Sequence, residues 1–124
     1  MKKTLVSGLF VLLLAGCGRT TCDWTDQLHA HDSAERLHAV HALQERRGET
    51  QPVVAALTAA LRDEDAFVRR DAARALGQLG PDAADAAPAL TAVAHKDRNN
   101  HVRKAAVDAL KQIDPAAATK SGAK

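Results

Sequence analysis

A nine-residue phrase that returns at a fixed interval limits this chain more than any other feature. Val68-Arg69-Arg70-Asp71-Ala72-Ala73-Arg74-Ala75-Leu76 recurs as Val102-Arg103-Lys104-Ala105-Ala106-Val107-Asp108-Ala109-Leu110, 34 positions on. The same frame reads Glu35-Arg36-Leu37-His38-Ala39-Val40-His41-Ala42-Leu43, 33 positions upstream of the first copy. The leading residue of each frame, the Ala four positions later and the closing Ala-Leu share one helical face. Leu79 and Ile113 carry that stripe a further turn. A second apolar set follows, in which Val54, Leu57, Ala60 and Leu61 return as Ala87, Leu90, Val93 and Ala94. A helix pair of this length cannot bury its apolar face alone, so successive units must stack.

The punctuation agrees with paired helices. Gly48 and Gly80 are placed as helix stops. Pro52 and Pro88 fit first turns, and Pro81 cannot continue a helix. Asp32, Asp65 and Asn99 stand where the next helix needs an N-cap. A shorter leading helix over 23–31 is placed to lay Trp24 and Leu28 over the open end of the first pair. Alanine supplies 27 of the 124 residues. Such small side chains let helices approach closely, while the scarcity of aromatic residues rules out most β-sandwich and barrel folds, because strands favour aromatic and β-branched side chains. The expectation is an all-α chain, a short α-solenoid of about two and a half helix pairs.

Residues 1–16 read as an export signal. Lys2 and Lys3 open it, an apolar run follows from Leu5 to Leu14, and Ala15 and Gly16 precede Cys17. The run is shorter than the ~20 residues that span a bilayer. The string Leu14-Ala15-Gly16-Cys17 resembles the lipobox of bacterial lipoproteins. That resemblance implies cleavage before Cys17, lipidation of its thiol, and a mature protein held in the cell envelope and facing the periplasm. Gly18, in place of the Asp that retains such proteins in the inner membrane, favours the outer membrane. Cys22 would then be the one free thiol. Residues 17–22 read as a lipidated tether, 23–113 as the repeat domain and 114–124 as a disordered tail.

The repeats resemble HEAT-like repeats of the short bacterial, phycobilisome-lyase-related kind. The resemblance rests on the Val-Arg-x-x-Ala-x-x-Ala-Leu core, the Leu-Gly end at Leu76-Gly77 and Leu79-Gly80, Pro81, and the acidic turn before each Val-Arg. It implies a ladder of Arg36, Arg69 and Arg103 paired with turn aspartates, Asp63 or Asp65 with Arg69 and Asp97 with Arg103. It also implies that the second helices line the partner side, placing Thr58, Arg62, Thr91 and His95 on a recognition surface. A lyase-related accessory acting on a protein client is the alternative role.

The remaining residues offer little for catalysis. Beyond the leader the serines are Ser33 and Ser121, one at a turn and one in the tail. No Gly-rich phosphate loop is present, and Asp63-Glu64-Asp65 lacks the length and spacing of a calcium loop. No enzyme and no cofactor are expected. His29, His31, His38 and His41 cluster in sequence, and His38 and His41 are three apart, a spacing that lets two histidines share a metal. In the repeat frame His38 aligns with Asp71 and Ala105, and His41 with Arg74 and Asp108, positions expected to face solvent, so polar surface is the first reading and a metal-binding envelope protein the third. Charge gives no sign of nucleic acid. Of 17 Lys and Arg, Lys2 and Lys3 belong to the leader, leaving 15 against 15 acidic residues. The expected partner is a protein. The helix over 100–113 ends the array, and Ala105, Val107, Leu110 and Ile113 offer an open apolar side through which two copies could pair.

Overall fold

The computed structural model describes residues 20–46 and 48–116. Among these the chain forms six α-helices: α1 (Thr21–Gln27), α2 (Ser33–Gln44), α3 (Thr50–Ala60), α4 (Ala66–Leu79), α5 (Ala87–Lys96) and α6 (Asn100–Ile113). A 3-10 segment, Gly80–Ala86, joins α4 to α5. The array is a short all-α solenoid in which α2 with α3 and α4 with α5 are the pairs and α6 is the first helix of a third.

Local chemistry sets the helix starts. Asp32 accepts from Ala34 N at 2.9 Å, Asp65 from Phe67 N at 2.7 Å, and Asn99 from His101 N at 2.8 Å. Each satisfies an amide that the first helical turn leaves without a partner. At α1, Thr20 and Asp23 form a reciprocal capping box, with Thr20 N donating to Asp23 at 2.7 Å. This cap starts α1 two residues earlier than the sequence reading, so Thr21 and Cys22 belong to the helix and not to a tether. Gly80 closes α4 with φ +62, a conformation that side-chain-bearing residues rarely adopt. Gly48 does not play that part, because α2 ends at Gln44 with Glu45 as its C-cap.

Equivalent positions of the repeat fill one continuous seam. Ala39, Ala72 and Ala106 are fully buried, as are Leu43, Leu76 and Leu110, and Val68 and Val102. Leu57 and Leu90 enter the same core from α3 and α5. Each such leucine contributes ~1.5–3 kcal/mol by leaving water. Small residues set the helix spacing: a Cβ placed on Gly77 of α4 would lie 2.9 Å from Ala109 Cα of α6.

The far end of the array is closed where the sequence reading left it open. Ala105, Ala106, Ala109, Leu110 and Ile113 are buried, and Val107 is half-buried against the core. The reason is that α6 wedges among α4, α5 and the 3-10 segment, so three neighbours share its apolar residues. Among the described residues the large hydrophobic side chain left exposed is Phe67, at the start of α4. No helix of the described residues is long and apolar enough to cross a membrane.

Candidate functional site

Two features organise the surface: a buried ion ladder along the inter-helix turns, and a polar groove across α2, α4 and α6. In the ladder, Arg36 grips both oxygens of Asp63, Nε to Oδ2 at 2.8 Å and Nη2 to Oδ1 at 3.0 Å. Its Nη1 donates to the carbonyls of Ala30 and His31 at 2.9 and 3.0 Å. Arg69 repeats this one unit on, holding Asp97 at 2.8 and 3.1 Å and donating to the carbonyls of Asp63 and Glu64 at 2.8 and 3.0 Å. Arg103 donates to the carbonyl of Asp97 at 2.8 Å. The two ion-paired arginines and their aspartates keep 7–10% of their side-chain surface exposed. Each aspartate therefore joins two arginines, one through its carboxylate and the next through its carbonyl.

The pairing is displaced by one unit from the one the family resemblance implied. Asp63 meets Arg36 and not Arg69 through its carboxylate, and Asp97 meets Arg69 and not Arg103. Asp65 is occupied as the cap of α4. The cause is the turn itself: the Asp63 and Asp97 side chains point back to the preceding layer, where Oδ1 also takes the amide two residues on, Asp65 N at 2.8 Å and Asn99 N at 2.9 Å. Burial alone would raise the Asp97 carboxyl pKa, but the Arg69 guanidinium and the Asn99 amide outweigh it and hold it below the ordinary carboxylate range. Hydrogen bonding to Asp63 and Asp97 raises Arg36 and Arg69 against the opposing effect of burial.

The groove measures about 460 Å³ and runs across the repeat frames. His41 and Gln44 come from α2, Asp71, Arg74, Gly77 and Gln78 from α4, and Asp108 and Gln112 from α6. Asp71 anchors its charge. Arg70 Nε donates to it at 2.8 Å, His41 Nε2 lies 2.9 Å away and Arg74 Nη1 3.9 Å away. Desolvation pushes the Asp71 pKa up, and the bonds from Arg70 and His41 bring it to a net lowering. Gln44 Nε2 donates to Gln78 Oε1, linking α2 to α4.

A repeated helix pair, an aspartate-arginine ladder between units and a groove along the repeat axis are features of a stacked helical-repeat protein. Residues 23–111 match the family model described as HEAT repeats. The chain belongs to the HEAT-repeat family. A comparison with curated proteins finds no match.

Within this HEAT-repeat array the other sequence-nominated residues are distributed as follows. Thr58 and Thr91 use their hydroxyls on their own helices, donating to Val54 O at 2.6 Å and Ala87 O at 2.9 Å. Arg62 is exposed and borders two shallow apolar hollows beside α3, and His95 is exposed on α5. Thr58 and Arg62 share one of these hollows, whose lining does not include Thr91 or His95. The four histidines do not converge: His38 packs edge-on against Trp24 at 5.3 Å and His41 faces Asp71, and among the described residues no three His, Cys, Asp or Glu side chains are grouped to hold a metal ion. Cys22 is a free, exposed thiol on α1. Cys17 lies outside the described residues.

The polar groove across the Val-Arg helices was missed at the sequence level. Its signal was present: His41, Arg74 and Asp108 hold one position of the three frames and are polar in each.

Proposed function

We propose that this HEAT-repeat chain is a non-enzymatic protein-interaction module whose partner lies in the groove of α2, α4 and α6, and that lipid on Cys17 anchors it in the bacterial envelope, facing the periplasm from the outer membrane. The observation that carries the first part is the groove itself. It crosses successive units, and its polar lining, His41, Asp71, Arg74 and Asp108, sits on helices fixed by buried ladder and seam. HEAT repeats commonly serve as protein-binding arrays, which supports the same reading. The second part rests on the lipobox-like string and the apolar run before it.

The reading predicts that Arg74→Glu with Asp108→Lys abolishes partner co-purification from envelope extracts while leaving the melting transition in place. Unchanged co-purification would overturn the groove assignment. For the address, labelling with an alkyne fatty acid should mark the wild type and not Cys17→Ser. Equal labelling of both chains, or labelling of neither, would end the anchor proposal.

A further inference from the structure

The ladder ends on an arginine that repeats the anchoring of the other two but not their pairing. Nη1 of Arg36, Arg69 and Arg103 donates in each case to the carbonyl six residues earlier, at 2.9, 2.8 and 2.8 Å. Arg36 and Arg69 then use Nε and Nη2 to grip both oxygens of an aspartate in the following turn. Nε and Nη2 of Arg103 have no partner among the described residues, and the residue is half-buried where Arg36 and Arg69 are buried. Residues 115–124 contain no Asp or Glu. The surroundings are cationic. From Lys96 to Lys104 four Lys and Arg stand beside one carboxylate, Asp97, which Arg69 already holds. The equivalent stretch 62–70 carries three of each sign. Lys96, Arg98 and Lys104 are exposed.

We propose that Arg103 is a carboxylate-binding site that takes an aspartate from an acidic helix-entry turn of a partner protein. The fold shows the ligand of this fork twice. Asp63 and Asp97 each offer both oxygens to an arginine, and Oδ1 also receives the amide two residues on, at 2.8 and 2.9 Å. The residue bearing that amide, Asp65 or Asn99, caps the helix that follows. The matching ligand is therefore an Asp-x-Asp or Asp-x-Asn turn. A planar guanidinium fits the two carboxylate oxygens, and the net positive stretch around it draws an acidic segment. A second copy of this chain does not fit. Its leading turn has Ala30 at the matching position, and its Asp63 and Asp97 are held internally. A further helix stacked as α6 is on α4 does not fit either. Gly77 permits that close approach, and Lys111 stands at its place on α6. Arg103 does not line the groove, so this site is independent of the groove reading.

The test is NMR of the arginine Nε–H groups in the full chain, with Arg36 and Arg69 as internal standards for a filled fork. The probe is a capped peptide copying residues 61–68, whose Asp63 fills the fork of Arg36. The Arg103 resonance should move toward the Arg36 and Arg69 positions as peptide is added, and saturate. Asp63→Asn in the peptide should weaken binding about tenfold. Arg103→Lys in the chain, read from the backbone amides of α6, should do the same, because an ammonium lacks the fork. An Arg103 resonance that stays in place, or moves equally with the Asn peptide, overturns the proposal. Unchanged affinity in Arg103→Lys overturns it as well. An equal response to inorganic phosphate, or to phosphatidylglycerol vesicles, makes the site a general anion or membrane contact and also overturns it. So does an Arg103 resonance already at the Arg36 and Arg69 positions before peptide is added, which would assign the fork to the chain's own terminal carboxylate.

Discussion

Both carboxylate oxygens of Asp97 are held by Arg69, 28 positions earlier in the chain, at 2.8 and 3.1 Å. This pair ties the turn before α6 to the helix of the previous unit, and Asp63 ties the turn before α4 to Arg36 in the same way. The turns are thereby locked as the array is built, one unit to the next.

Removing one member of such a pair leaves the other buried and uncompensated. Arg69→Ala or Asp97→Ala should cost ~3–5 kcal/mol. Arg103 makes a single bond to the Asp97 carbonyl, and Arg103→Ala should cost about 1.5 kcal/mol. Arg69→Lys should recover little, because an ammonium cannot hold both oxygens. Urea unfolding of the four variants gives the order directly.

The pH response follows from the same residues. The folded pKa values of Asp97 and Asp71 are depressed below the ordinary carboxylate value. Their contribution is therefore fully present above the unfolded pKa of ~3.9 and is lost as pH falls through the folded values. Stability should decline between roughly pH 5 and pH 2. Asp97→Asn should be less stable at neutral pH and show a shallower acid limb in melts taken across that window.

Two glycines are sensitive, one to close packing and the other to backbone conformation. Gly77→Ala drives a methyl to 2.9 Å from the Ala109 backbone and should cost ~1–3 kcal/mol by forcing α4 and α6 apart. Gly80→Ala meets no clash, the nearest atom being 4.0 Å away, but places a side chain at φ +62, for a cost of ~1–3 kcal/mol. Calorimetry, with crystal structures of both, separates displaced helices from a strained turn.

Burial separates two other large side chains. Leu76→Ala removes a fully buried side chain and should cost ~2–5 kcal/mol. Phe67 is 61% exposed, with the Arg70 guanidinium 5.1 Å from its ring centre. Phe67→Ala should stay within about 0.5–1 kcal/mol of wild type. Paired chemical denaturation curves check both.

The helices, their caps and the seam were legible because each leaves a local mark: Val68 and Leu76 on one face, Asp65 before α4, Gly80 after it. The direction of the ladder was not. Asp63 lies close in sequence to Arg69 and 27 residues from Arg36, and sequence distance favours the wrong partner until the turn's side-chain direction is known. The covered end of the array was hidden because α6 packs against α4 and α5 at once and against the 3-10 segment, which carries no periodic signal. The polar groove escaped notice because polar residues on an outer helix face do not contribute to the apolar pattern that organised the reading.

The most direct test of the groove as partner surface is site-specific photocrosslinking in living cells. A photoreactive residue is introduced at Arg74, in the groove, or at Thr91, on α5. The account predicts a discrete crosslinked adduct from position 74 and none from position 91. An adduct from position 91 with none from position 74 would contradict it.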